Sequence, residues 1–379
     1  MQVTFDTKQF TSTAQTVSKL ALKSNMSVSS LSFVRLLMFP VQGGVKGFLS
    51  ASNGTQVVNR PIDVSVEGVT ESTTLLLKGD KLSQIAAAFK GMDDKPVKFK
   101  PDYPTGTFSC GRSKFKIEMS DPETYPDPIK ITGEKTTISM PYGLLVSELS
   151  RVRHAVASND TRTYLNGINL TFNQGVFTVT GSDGHRMFRS VMGDVKVSGK
   201  DSASVLIPVG AIEHICGSTD SDDTNVVINL NNQLAEFATP SAQVKTLLID
   251  EKYPNTEPFF TSAKSRLVDI DRAELVGTLT RLNSVITSPK YKLKLSFEEN
   301  EIRLTALDAH NQEIGEDVIA CPVEVSGKEV GFSCRYLIDA LQNLSGERVQ
   351  IQLDDSKGFL LLNPDNDEST TAVVMPMRI

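Results

Sequence analysis

Ser182, Asp183 and His185 are the residues of this chain whose types could do chemistry together. A carboxylate beside an imidazole is the usual acid and base pairing, and a neighbouring hydroxyl completes the parts of a hydrolase. Their spacing argues against that use, because three near-adjacent residues in one turn do not reach one another in the relay a triad needs. The pattern is also copied. Asp308-Ala309-His310 repeats Asp183-Gly184-His185 about 125 residues later, after Ile302-Arg303-Leu304-Thr305, which alternates as Gly175 to Thr180 does. An active site is seldom duplicated within one chain. A weaker copy, Gly47 to Gly54, keeps the alternation and the turn without the Asp and His. The reading is a turn capped by polar side chains, with a hydrolase using Asp183 and His185 as the alternative.

Other chemistry is thinly supplied. His154, His185, His214 and His310 are dispersed, and Cys110, Cys216, Cys321 and Cys334 have no paired spacing, so neither a zinc site nor a disulfide framework is expected. Asp220-Ser221-Asp222-Asp223 lacks the glycine and terminal glutamate of a calcium loop. With no glycine-rich phosphate loop and no HExxH, no catalytic residue, metal or cofactor is expected, and the chain is read as a non-enzyme. The start, Met1 to Asp6, is strand-like, without a basic region or long apolar stretch, and nothing is long enough to span a membrane. A cytoplasmic, nucleoid-associated home is expected.

The elements around the Asp-x-His turns recur in a fixed order. Helical spacing appears over Thr7 to Lys23, Pro141 to Val156 and Asp271 to Ser284, and each of these helices is followed by strands. A second helix follows in each unit, at Asp80 to Phe89, Val209 to Gly217 and Cys334 to Leu344. The units are separated by Asp121 to Pro128 and Asp250 to Pro258, polar Pro-rich stretches that both contain Tyr-Pro. The 379 residues, 39% of them hydrophobic, therefore read as three α+β domains, 1–128, 129–260 and 261–379. Each is a mainly antiparallel sheet with two helices.

The net charge of −6 counts against a nucleic-acid partner until the charges are placed. Counted over 7–23, 80–91, 141–156, 209–217, 271–284 and 334–345, the six predicted helices hold 10 Lys and Arg against 6 Asp and Glu, and the remainder holds 29 against 39. If the helices share a face, that face attracts phosphate.

Thr161-Arg162-Thr163-Tyr164-Leu165-Asn166-Gly167, Asp183-Gly184-His185-Arg186, the Tyr253-Pro254 linker and above all Val373-Val374-Met375-Pro376-Met377-Arg378-Ile379 resemble the bacterial DNA polymerase III beta subunit family, the sliding clamps. The likeness spans the whole chain. It implies the DNA-clamp fold, three domains of one topology forming half of a closed ring, with two copies closing head to tail as a homodimer and helices lining a hole for double-stranded DNA. It implies a processivity factor that binds DNA without sequence preference. Its partners would be the replicative DNA polymerase, an ATP-dependent clamp loader and other proteins carrying the clamp-binding motif. Carried over by position, the partner-peptide groove comprises Arg162, Leu165, Ser182, Gly184, His185, Arg186, Met187, Pro254, Val373, Val374, Met375, Pro376, Met377 and Arg378. The DNA contacts fall on Lys23, Asn159 and Tyr164. Two methionines near the last residue suit a surface that accepts differing apolar side chains. Pro258 and Phe259 stand where the family commonly has an Arg and an aliphatic residue, so that wall of the groove is expected to be reshaped. A protein-interaction scaffold that makes no use of DNA is the other class of reading.

Overall fold

The computed structural model describes the whole chain except residues 22–28, 67–68, 128, 194, 262–264, 355–359 and 365–368. Lys23 and Pro128 therefore lie outside the described residues. The six expected helices are present: α1 (Thr7–Ser18), α2 (Gly79–Phe89), α3 (Tyr142–Arg153), α4 (Val209–Ile215), α6 (Arg272–Asn283) and α7 (Cys334–Asn343). Their starts follow local chemistry. Asp6 accepts from the Gln9 N–H, Asp271 from the Glu274 N–H and Ser333 from the Tyr336 N–H, each satisfying a donor that the first helical turn leaves open. The expected extension of α1 to Lys23 does not hold. Past Ser18 the backbone tightens, with Leu20 N–H on the Val17 carbonyl and Ala21 N–H on the Ser18 carbonyl. A short further helix, α5 (Glu257–Thr261), forms in the second Pro-rich stretch, with Pro258 in its first turn where its missing N–H costs nothing.

The chain divides into two compact units, Met1–Leu144 with Gly210–Leu248, and Leu145–Val209 with Ile249–Ile379. In the first unit, strands neighbour one another in the order Thr136–Pro141, Asn225–Leu230, Leu234–Thr239, Ala242–Leu247, Gln56–Asp63, Gly44–Ser52, Phe33–Val41, Thr73–Lys78, Ser113–Ser120, Thr105–Cys110, Val97–Asp102, Val3–Phe5 and Ser65–Val66. The second unit holds an eight-stranded sheet, Ser202–Pro208, Gly167–Asn173, Val176–Ser182, Arg186–Met192, Thr370–Val374, Leu360–Pro364, Arg348–Leu353 and Ser265–Asp271. Beside it is a four-stranded sheet, Glu313–Ala320, Glu301–Leu307, Lys292–Glu298 and Lys328–Phe332. The middle repeat contributes one sheet to each unit.

One topology is used three times. In each repeat the strand that leads into the second helix neighbours the first strand of a three-strand meander: Thr73–Lys78 beside Phe33–Val41, Ser202–Pro208 beside Gly167–Asn173, and Lys328–Phe332 beside Lys292–Glu298. A second meander completes the repeat, ending in Ser113–Ser120, Ala242–Leu247 and Thr370–Val374. Alternation buries one face of strands such as Val97–Asp102 and Thr105–Cys110, and the cores are aromatic and aliphatic: Phe10, Phe99 and Phe108 are fully buried, with the Phe99 and Phe108 rings stacked at 4.3 Å. Each such ring contributes roughly 2–3 kcal/mol of transfer free energy.

The repeats are joined through backbone. Val58 pairs with Val244, and Phe188 with Ala372, so the last strand of one repeat continues the sheet of the one before it. The turns beside these junctions are closed in the same way. Asp183 Oδ1 accepts from the backbone N–H groups of His185 (2.9 Å) and Arg186 (3.0 Å), and Asp308 Oδ1 from those of His310 (2.7 Å) and Gln312 (2.9 Å). In the copy read as lacking the ionisable pair, Asn53 Oδ1 accepts from Thr55 (3.1 Å) and Gln56 (2.8 Å). Ser52 and Ser182 each accept from the glycine two residues on at 3.1 Å. Replacing Asn53 with Ala is expected to lower stability by about 1–2 kcal/mol, since two backbone donors lose their acceptor, whereas Asn53→Asp keeps the geometry. Urea midpoints of the two variants measure the difference.

Candidate functional site

After α3 the chain enters a loop that is held by its own polar groups. Asn159 has φ 60°, the Asp160 N–H donates to Asn166 Oδ1 (2.8 Å), and Asn166 Nδ2 donates to the Asp160 carbonyl (2.8 Å). Arg162 grips Asp160 with two parallel hydrogen bonds of 3.0 Å, which hold that carboxyl down at a pKa of about 2. The single turn Thr163–Asn166 is capped from far along the chain: Glu251 accepts from Thr163 Oγ1 and from the Tyr164 N–H. Next to Glu251, Tyr253 is buried and packs edge-on to the Tyr164 ring at 6.4 Å. The linker is thereby pinned to the stretch that resembled the family.

The Asp183 turn meets this loop at Gly184, whose φ of 85° favours glycine, and where an added Cβ would lie 2.9 Å from Arg162 Nη2. The hydrolase reading fails here. Asp183 is engaged by backbone N–H groups and by Arg186, not by the His185 ring, while Ser182 Oγ donates to the Arg186 carbonyl. The residue of consequence in the turn is Arg186. Its guanidinium bonds Asp183 (3.0 Å) and Asp339 on α7 (2.7 Å) and lies over the Tyr336 ring at 4.3 Å, tying the middle repeat to the third. Arg335 bonds the other oxygen of Asp339 at 2.9 Å.

The C-terminal stretch crosses both. The Met375 N–H donates to the His185 carbonyl (2.9 Å) and the Met377 N–H to that of Gly331 (2.8 Å). Equivalent bonds recur in the middle repeat, Leu247 to Thr55 (2.8 Å) and Ile249 to Leu206 (3.0 Å). Gly331 is needed for this approach, since a Cβ there would sit 2.7 Å from the Met377 carbonyl oxygen and 2.3 Å from Ile379.

Of the residues assigned to the groove, Met187 and Val373 form a buried apolar pair, and Met375, Phe259 and Phe260 pack partly exposed against it. Met375, Pro376, Met377, Arg378 and His185 line a cavity of about 840 Å³. Leu165, Ser182 and Val374 are buried beneath, and Val374 pairs with Arg186 in the sheet. Pro254 is exposed beside buried Tyr253, and it is α5 that brings the linker's side chains to the apolar cluster. Arg189 fastens that helix, bonding Glu257 at 3.2 Å and lying over the Phe260 ring at 3.7 Å. The other cavity wall, Asn283 to Lys292 with Ser333 to Tyr336, was not anticipated. Its only sequence signal is its place around the ends of two predicted helices.

Of the DNA-contact residues, Asn159 is exposed and Tyr164 half-buried. The helical cations are partly spent. Lys19 pairs with Glu213, Arg151 with Glu148, Arg281 with Asp317 and Arg335 with Asp339, while Arg272 bonds the Leu341 and Gly346 carbonyls. Lys8, Lys81, Lys90 and Arg153 are exposed with no ion pair among the described residues. Among those residues there is also no cluster of metal-ligating side chains, and no helix is long and apolar enough to cross a membrane.

Three copies of one antiparallel, two-helix unit, joined strand to strand, define a clamp-type fold. Residues 140–255 match the central domain of the DNA polymerase III beta subunit, and residues 260–378 match its C-terminal domain. The chain belongs to the DNA polymerase III beta subunit family, and its function is that of a DNA sliding clamp. It is 25% identical to the beta sliding clamp of Pseudomonas putida over 90% of this chain and 91% of that one. With the beta sliding clamp of Pseudomonas aeruginosa it shares 27% identity over 71% and 73%. A Pseudomonas aeruginosa DnaN sliding clamp bound to griselimycin superposes with a TM-score of 0.89 at 23% identity, each chain covered 100%. A Helicobacter pylori beta clamp bound to a DNA ligase peptide gives 0.84 at 16% identity, again with 100% of each chain covered.

Replacing Arg186 with Ala leaves two carboxylates facing each other half-buried, and is expected to cost about 2–3 kcal/mol in urea unfolding. Gly331→Val should displace Met375 to Ile379 without altering any of them, seen as faster amide exchange at Met377. Burial against Phe188 depresses the His154 pKa. Its contribution to stability is therefore full above the unfolded value of about 6.5 and is lost as pH falls through the lower folded value, so the urea midpoint should drop between about pH 7 and 5, less steeply in His154→Gln.

Proposed function

We propose that two copies of this chain close head to tail into a ring around double-stranded DNA, and that the ring tethers the replicative polymerase and other motif-bearing proteins through the Met187, Val373 and Met375 groove. The observation that carries the ring is a pair of open strand edges. At both junctions inside the chain, the outer strand of one first meander pairs with the last strand of the next repeat. The third repeat's counterpart, Glu313–Ala320, is an edge strand with Ile314 and Val318 exposed. The first repeat's counterpart, Ser113–Ser120, is paired on one side along its length and on the other only at Met119 and Ser120. An exposed apolar edge of this length calls for a partner. Continuing the internal register sets Gly315 opposite Phe115 of the partner subunit and Glu316 opposite Lys114 of the partner subunit. Two different surfaces meet, so the contact is heterologous, and closure at two copies gives a ring.

The helical cations Lys8, Lys81, Lys90 and Arg153 supply a diffuse positive field, with exposed Asn159 and half-buried Tyr164 as neutral polar contacts, and such a field lets a duplex slide because it makes no base contacts. Lys23 belongs to the same proposal. The chain acts as a collar without catalysis, and its loading falls to an ATP-dependent partner. Domain limits of 1–128, 129–260 and 261–379 follow the three-fold topology, and nucleoid association follows from encirclement. The groove presents apolar side chains beside an extended backbone, the arrangement that receives short peptides.

Loaded protein should stay on nicked circular DNA and run off linear DNA; equal loss from both would leave a scaffold that makes no use of DNA. Lys114→Glu should weaken the dimer about tenfold in sedimentation, with partial recovery on adding Glu316→Lys. Deleting Met375 to Ile379 should abolish polymerase binding and leave the dimer intact.

A further inference from the structure

The chain carries 45 Asp and Glu residues, yet among the described residues lining the 840 Å³ cavity there is none. The lining instead presents Lys292, Arg335 and Arg378, with His185 at one end. Of the cations, Arg335 is committed to Asp339, which Arg186 also holds together with Asp183. Among the described residues Arg378 is exposed with no ion pair, and the Lys292 ammonium bonds the neutral side chain of Asn311 at 2.8 Å without an ion pair. Ile286, Pro289 and Met377 line the same cavity, and Met375 belongs both to it and to the apolar cluster. An occupant that satisfies both has an apolar anchor continuous with a negatively charged stretch.

We infer that the cavity receives an acidic, extended segment flanking the apolar anchor of the partner peptide, and that Lys292 and Arg378 select it by charge. This rests on the groove reading and adds the chemistry of the flank. A peptide fits better than a nucleic-acid strand. The apolar wall asks for aliphatic side chains, and one face of the Tyr336 ring, which would otherwise stack a base, is occupied by Arg186 at 4.3 Å.

The test uses the full chain and three fluorescent peptides of one Leu-Phe anchor, flanked by glutamates, glutamines or lysines, read by anisotropy. The glutamate peptide should bind roughly tenfold tighter than the glutamine one at low salt, with the lysine peptide weakest. The ratio should shrink as salt rises and fall to about one in Lys292→Gln/Arg378→Gln, while urea midpoints match the parent. Equal affinities for all three peptides would overturn the charge selection and leave the groove standing. No binding of any peptide, or binding indifferent to Met375→Glu, would overturn the groove itself. Displacement of the glutamate peptide by an equimolar thymidine oligonucleotide that binds more tightly would overturn the inference in favour of a nucleic-acid strand.

Discussion

A strand at the edge of a sheet must find a partner for its N–H and C=O groups, and this protein is organised by that requirement. Each repeat is a pair of meanders whose outer strands would be left open. Val58 against Val244 and Phe188 against Ala372 close two such pairs of edges by joining repeats through backbone bonds that need no particular side chains. Because the joint is made of backbone, sequence is free to diverge at it, which is consistent with 25% identity to a relative over 90% of the chain. It also explains why the two compact units divide the middle repeat, since each junction lies within one unit.

The groove arises where the same joint is decorated differently. Met375 and Met377 make the backbone bonds that Leu247 and Ile249 make one repeat earlier. The side chains beneath differ. At the first junction the position of Val373 is held by Lys245, paired with Glu236 at 3.2 Å, and Val57 stands where the second has Met187. Charge in that place forbids an apolar pocket. At the second junction Val373, Met187 and Met375 combine with Phe259 and Phe260. Pro258 and Phe259 stand in the short helix Glu257–Thr261, which Arg189 fastens over the Phe260 ring.

The Asp-x-His turns show what polar residues in a tight turn are for. The carboxylate satisfies backbone donors that a reversing chain cannot pair otherwise, and Asn53 does the same with an amide. The turn then becomes useful through Arg186, which its geometry aims at Asp339. Structural capping and site building are one act here.

What the sequence determined by itself were the features set by local periodicity and capping: six helices, the alternating strands, the three-fold order and the structural reading of Asp183 and His185. These depend on neighbours a few residues apart, so they are legible in one dimension. The resemblance pointed to Met187, Val373 and Met375, which the structure brings together in one apolar cluster. Only tertiary structure decided that Glu251 caps a turn 88 residues away, that Asp339 receives Arg186, and that Asn283 to Lys292 walls a cavity free of carboxylates among its described lining. It also decided that several helical cations are neutralised by ion pairs. Such pairings join residues far apart in the chain, and no spacing in the sequence encodes which side chain will stand opposite which once sheets have continued across the repeats.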